Sequence, residues 1–84
     1  MKEVKEGEIY RHFKGNFYYV ICVALDSETR ERMVVYRHLD GTDIICVRPE
    51  KMFLEEIPDR PDNITGQKVR FELINNLSDY NCSK

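Results

Sequence analysis

Apolar residues in this chain come in short runs divided by turn-forming residues, the spacing of a small antiparallel β protein. The densest run, residues 17–25 (FYYVICVAL), combines aromatic and β-branched side chains and is predicted as the principal strand. It is apolar at every position. Either both of its faces are covered, or a bulge near Cys22 shifts the alternation partway along. Residues 8–13 predict a shorter strand before it, with Lys14-Gly15-Asn16 as the hairpin turn and Gly15 supplying a positive φ. Residues 32–39 (RMVVYRHL) predict a third strand. The polar stretch 26–30, a turn or a single helical turn, is too short for anything but an antiparallel return. Asp40-Gly41 signals another hairpin, leading to a fourth strand over residues 44–48 that Pro49 stops.

Beyond Pro49, residues 50–54 predict one helical turn, since proline suits a helix start. That turn would drop Met52 or Phe53 onto an open end of the sheet. Residues 57–66 contain two prolines and a glycine and predict a loop. Residues 67–74 alternate Val69, Phe71 and Leu73 against Lys68, Arg70 and Glu72, the pattern of a half-buried fifth strand. The expected fold is therefore all-β: a small, strongly bent, five-stranded sheet closing into an SH3-like, partly open barrel with one short helical turn. An OB-like barrel is the alternative and usually needs more chain. Residues 1–74 are expected to form this one domain and residues 75–84 a polar, flexible tail.

Composition narrows the function. Eighty-four residues allow one domain with a modest core. The formal charge of −2 lacks the basic excess that phosphate contacts demand, which excludes general nucleic-acid binding. Charge is nevertheless uneven: Arg11, His12, Lys14, Arg37, His38 and Arg48 precede a segment rich in Glu and Asp. No run approaches the roughly 20 apolar residues of a membrane span, and residues 1–7 carry charges in place of a leader's apolar stretch. Three cysteines show no CxxC spacing. Cys22 and Cys46, inside apolar runs, read as small, slowly reacting core residues, and Cys82 as an exposed thiol of the tail. Free thiols point to the cytoplasm.

His12, His38 and Cys46 match no zinc spacing, so no metal is expected. Ser27 and Thr29 beside Glu28 are too common a combination to predict a nucleophile, and Lys14-Gly15-Asn16 has one glycine and is no phosphate loop; no cofactor is expected. The most informative set is Tyr10, Arg11, His12, Tyr36, Arg37 and Arg48, with Glu28 on the connection between the second and third strands. Arginine forks bind carboxylate or phosphate and tyrosines offer a flat wall. The structural alternative pairs Arg37 and Arg48 with Glu28 and Glu31 to fix that connection. Three functions follow: a non-enzymatic module binding a small anion or an acidic partner segment; a structural or assembly domain pairing through exposed strand edges with another copy or another protein; and, third, a small hydrolase.

The segment Tyr10-Arg11-His12-Phe13-Lys14-Gly15-Asn16 resembles the bacterial family known as domain of unknown function 1653. The likeness continues in order through Ser27-Glu28-Thr29 with Glu31, Val34-Val35-Tyr36-Arg37, Val47-Arg48-Pro49, Met52-Phe53 and Arg70-Phe71. The resemblance implies no established activity. It leads one to expect a Trp just before Val47-Arg48-Pro49, where this chain has Cys46.

Overall fold

The computed structural model describes residues 3–58 and 60–76. Five strands form one antiparallel sheet: β1 (Glu8–His12), β2 (Phe17–Leu25), β3 (Arg32–His38), β4 (Ile45–Pro49) and β5 (Phe71–Asn76), in the order β4-β3-β2-β1-β5. This is the mostly β fold that the alternation of the chain predicts, and it is compatible with an SH3-like arrangement. Among the described residues no helix is long and apolar enough to cross a membrane.

The continuous apolar run of β2 is resolved by a bulge. Its register against β3 shifts between Val20 and Cys22. Before the shift Tyr18 and Val20 face inward and are buried; after it the partner of Val34 is Val23. The extra residue moves the alternation by one. Cys22 thereby falls on the outer face opposite Val35 and is only half-buried, as is Cys46. Neither is the fully buried core thiol expected from its apolar neighbours. Cys82 lies outside the described residues.

Two turns set the strand register. Gly15 has φ +104° in the β1–β2 hairpin, a conformation that side-chain-bearing residues rarely adopt, and a Cβ there would lie 3.1 Å from Ile64 Cδ1. Between β2 and β3, Asp26 Oδ1 accepts the N–H groups of Glu28 (2.9 Å) and Thr29 (3.1 Å). The hydrogen bonds drawn from those two N–H groups lower the Asp26 carboxyl below its usual range.

Pro49 ends β4 and caps α1 (Glu50–Phe53), sitting one position before the first helical residue. The helix delivers Phe53 to the core, fully buried, and leaves Met52 exposed. Phe53 stacks on Phe71 with ring centroids 4.0 Å apart and meets the edges of Tyr10 and Tyr36. These rings, with Val4, Tyr18, Val20 and Val34, form the core on the sheet's inner face.

The fifth strand starts four residues later than its alternation suggests and extends two further, to Asn76. The preceding residues are recruited elsewhere. Val69 makes a lone bridge with Glu56, and the Arg70 N–H donates to the Glu55 carbonyl at 2.8 Å. Gln67 is buried because its Nε2 donates to the carbonyls of Arg11 (2.9 Å) and Val69 (3.0 Å), tying the 57–66 loop to β1. Satisfying buried backbone groups overrides strand alternation here. Residues 77–84 of the expected tail lie outside the described residues.

Candidate functional site

Cross-strand partners share a face of a sheet, so the register sorts the expected site residues. Tyr10 pairs with Tyr18, His12 with Phe71, Tyr18 with His38, and Tyr36 with Val20 and Cys46; Arg48 pairs with Val34. All of these lie on the inner face. Arg11 pairs with Phe17, and Arg37 with Tyr19 and Ile45, on the outer face. Glu28 is exposed on the β2–β3 connection, at the end of β2 remote from Tyr18. The set read from the sequence is therefore divided among three places.

Four of its members lie on the inner face, and three of those meet. Tyr10 is wholly buried and its hydroxyl donates to Glu8 Oε1 at 2.9 Å; burial and then the Glu8 carboxylate raise its pKa far above the ordinary value. It is a core residue with a satisfied hydroxyl. His12, Tyr36 and Arg48 surround a different spot. Arg48 Nε lies 3.5 Å from the Tyr36 hydroxyl as a long donor, and its guanidinium sits 5.7 Å from the centroid of the Phe71 ring. His12 meets the edge of Phe71 and stacks on Phe13. Burial, followed by the positive charges of Arg70, Arg48 and Lys14, lowers the His12 pKa to about 4. The Lys14 N–H donates to its Nδ1 at 3.1 Å, as a neutral imidazole permits.

The pairing of Arg37 and Arg48 with Glu28 and Glu31 does not form. Glu31 pairs with Lys51 at 3.7 Å, and among the described residues no carboxylate pairs with Arg48 or Arg37. The two strands point their arginines to opposite faces, and neither reaches the connection. Arg37 lies over the Tyr19 ring at 5.4 Å, with its Nε buried and without a hydrogen-bond partner. Arg11 is engaged with Gln67 Oε1 (3.0 Å) and Glu72 (2.9 Å), which makes it structural.

The candidate set read from the sequence left out Tyr18, His38, Cys46 and Arg70. Tyr18 is buried beneath the site and its edge contacts Tyr36 and His38. Burial raises the Tyr18 hydroxyl pKa. Arg70 flanks His12 while donating to Glu55 at 3.1 Å. At the start of β4, Cys46 Sγ is 3.5 Å from His38 Nε2, and His38 Nδ1 is 3.7 Å from Asp40 Oδ2. The signal for this last group was parity: Tyr18, Tyr36, His38, Cys46 and Arg48 share a face once the β3–β4 hairpin register is set. Two shallow hollows lie elsewhere, one of about 410 Å³ beside Tyr10, Leu54 and Leu73, the other of about 390 Å³ around Asn63 and Gln67. The first is apolar with one carboxylate, Glu72, and holds no cation to receive an anion.

Among proteins with curated functions, none matches this chain. It is similar to the crystal structure of a DUF1653 protein from Bordetella bronchiseptica, at 29% identity and a TM-score of 0.68, over 92% of this chain and 95% of that one. The family description "Protein of unknown function (DUF1653)" matches residues 8–73. With that match spanning most of its length, the chain belongs to the DUF1653 family.

Proposed function

We infer that the domain is a non-enzymatic binding module that holds a small carboxylate or phosphate anion on its inner face, at Arg48, with His12, Tyr18 and Tyr36 around it. An acidic side chain of a partner protein offers the same chemistry. One observation carries the reading: Arg48 is held over Phe71 and beside the Tyr36 hydroxyl with no carboxylate pairing among the described residues. A guanidinium has five N–H donors, and one long bond to a tyrosine leaves most of them available. The free thiols Cys22 and Cys46 support a reducing cytoplasm as its place of work. Thermal unfolding with added phosphate or a nucleotide tests the reading. An anion that binds only the native state raises Tm by mass action, and Arg48→Met should remove that rise. A rise of equal size in Arg48→Met, or none in the parent protein, defeats it.

The β4 edge supports a second reading, assembly with another copy. The His38 N–H donates to the Ile44 carbonyl at 2.9 Å. Antiparallel alternation then turns the peptide groups of Ile45 and Val47 toward the free edge. Their side chains are 61% and 59% exposed. A second β4 placed antiparallel would set Ile45 against Val47 twice. Light scattering decides: a dimer that Val47→Lys dissociates supports pairing, and a concentrated monomer ends it.

A further inference from the structure

The group at the start of β4 contains a nucleophile, a base and a residue that positions the base. Asp40 is fixed by its own turn: its Oδ1 accepts the Thr42 N–H at 3.0 Å and the Thr42 hydroxyl at 2.7 Å. Its Oδ2 is left to face His38 Nδ1 at 3.7 Å. Those Thr42 hydrogen bonds and the neighbouring His38 hold the Asp40 carboxyl below its usual range, so it is ionised at neutral pH. An anion beside Nδ1 keeps the imidazole proton there and leaves the lone pair of Nε2 for Cys46 Sγ, 3.5 Å away. The edge of Tyr18, its centroid 4.8 Å from the imidazole, walls the ring in place. Thiol, imidazole and carboxylate in this order make an activated nucleophile. Cys46 is half-buried, which leaves it reachable.

We propose that Cys46, with His38 as its base and Asp40 as the positioning residue, undergoes thiol–disulfide exchange with small disulfides that carry a carboxylate. The Cys46 proton passes to His38 Nε2 and the thiolate attacks one sulfur of the disulfide. A new S–S bond joins Cys46 to that half while the original S–S bond breaks. The departing thiolate takes the proton back from His38. Cys46 is thus oxidised to a mixed disulfide and half of the reagent is reduced to a thiol, with no other reactant. Exchange requires only a thiolate, a proton acceptor and a proton donor, whereas acyl transfer would also require donors for an oxyanion. The modification is stoichiometric and so stands beside a binding role. The carboxylate follows from Arg48, two residues along the same strand and on the same face as Cys46; this part rests on the anion-binding reading above.

The test uses the full chain carrying Cys22→Ser and Cys82→Ser, so that Cys46 is the only thiol. Its second-order rates are measured with dithiobis-nitrobenzoate, which carries carboxylates, and with neutral dithiodipyridine. His38→Gln should slow both reagents roughly tenfold, and Asp40→Asn should slow both several-fold. Asp40→Asn keeps the Oδ1 acceptor on an exposed turn, and it decides the matter should His38→Gln fail to fold. Arg48→Met should slow dithiobis-nitrobenzoate roughly tenfold more than it slows dithiodipyridine. Unchanged rates in folded His38→Gln, or in Asp40→Asn, overturn the relay. Arg48→Met slowing both reagents equally, or neither, overturns the substrate class while leaving the relay standing.

Discussion

Arg32 and Arg48 lie on neighbouring strands, both on the inner face, and end in opposite surroundings. Arg32 donates from Nε to Glu50 Oε1 at 2.9 Å and from Nη2 to the Val4 carbonyl at 3.1 Å. Glu50 Oε2 in turn accepts the Val4 N–H at 2.9 Å. Val4 is buried in the core, so this closed set of bonds joins the chain start, β3 and α1. Arg48, by contrast, has a tyrosine hydroxyl and an aromatic face and no carboxylate among the described residues. Residue type therefore says little about role. A guanidinium whose donors are used by the fold stabilises it, and one with donors to spare beside aromatic rings has capacity for something that arrives later.

The largest perturbation removes the floor of the Arg48 region. Phe71 is buried against Phe53, Tyr36 and the Arg48 guanidinium. Phe71→Ala should cost about 3–5 kcal/mol in urea unfolding. Near-parent stability would mean that the core does not run beneath the site.

The next comparison separates the two arginine regions directly. Glu50→Ala should cost about 1–2 kcal/mol, since it unmakes hydrogen bonds to a guanidinium and to a backbone N–H at a site still partly open to water. Arg48→Met should stay within about 0.5 kcal/mol of the parent. Equal losses would erase the distinction between fold and site.

Acid sharpens it further, because the two regions titrate in different windows. The His12 pKa is lowered from 6.5 to about 4, so the unfolded chain binds the proton more readily. Stability should fall as pH drops from about 6.5 to about 4, and His12→Phe should flatten that interval. For Glu50, burial acts to raise the carboxyl, but the hydrogen bonds from Arg32 and the Val4 N–H outweigh it and the net shift is downward. Its contribution is present above about 4.5, the ordinary glutamate value, and is lost as pH falls through the lowered one. An acid denaturation curve without a step removed by His12→Phe would contradict the burial of His12 beside Arg70 and Arg48.

The smallest expected effect is the most specific. Phosphate bound at Arg48 should offset part of the charge that depresses His12 and raise its pKa, seen by NMR titration of the imidazole protons. By linkage the same anion should bind more tightly as His12 protonates. An unmoved His12 pKa at saturating phosphate would place the anion elsewhere.

Strand positions were legible because alternation and turn chemistry act locally: Gly15, Asp40-Gly41 and Pro49 punctuate the chain where the strands end. The bulge near Cys22 was legible as one of two alternatives, since a run apolar on both faces must be covered or shifted. The early start expected for β5 failed because Gln67 and Arg70 bond to β1 and to Glu55, partners distant in sequence. The candidate site was half legible. His12, Tyr36 and Arg48 meet as expected, whereas Arg11, Arg37 and Glu28 were grouped with them by type and nearness in sequence.

By itself the sequence determined the number of strands along the chain, the antiparallel sense of the hairpins, the proline that turns β4 into α1, and the aromatic stock of the core, but not the place of β5 beside β1. Those follow from backbone restriction at Gly and Pro and from the two-residue period of a strand. Tertiary structure alone decided where the bulge of β2 fell and which carboxylates came within reach of each arginine. A one-residue shift at the bulge exchanges inside for outside, and the pairing of a charge depends on distances across strands that no local pattern encodes. So Arg32 is closed by Glu50 and Val4, Arg37 rests on Tyr19, and Arg48 remains over Phe71 with its donors open.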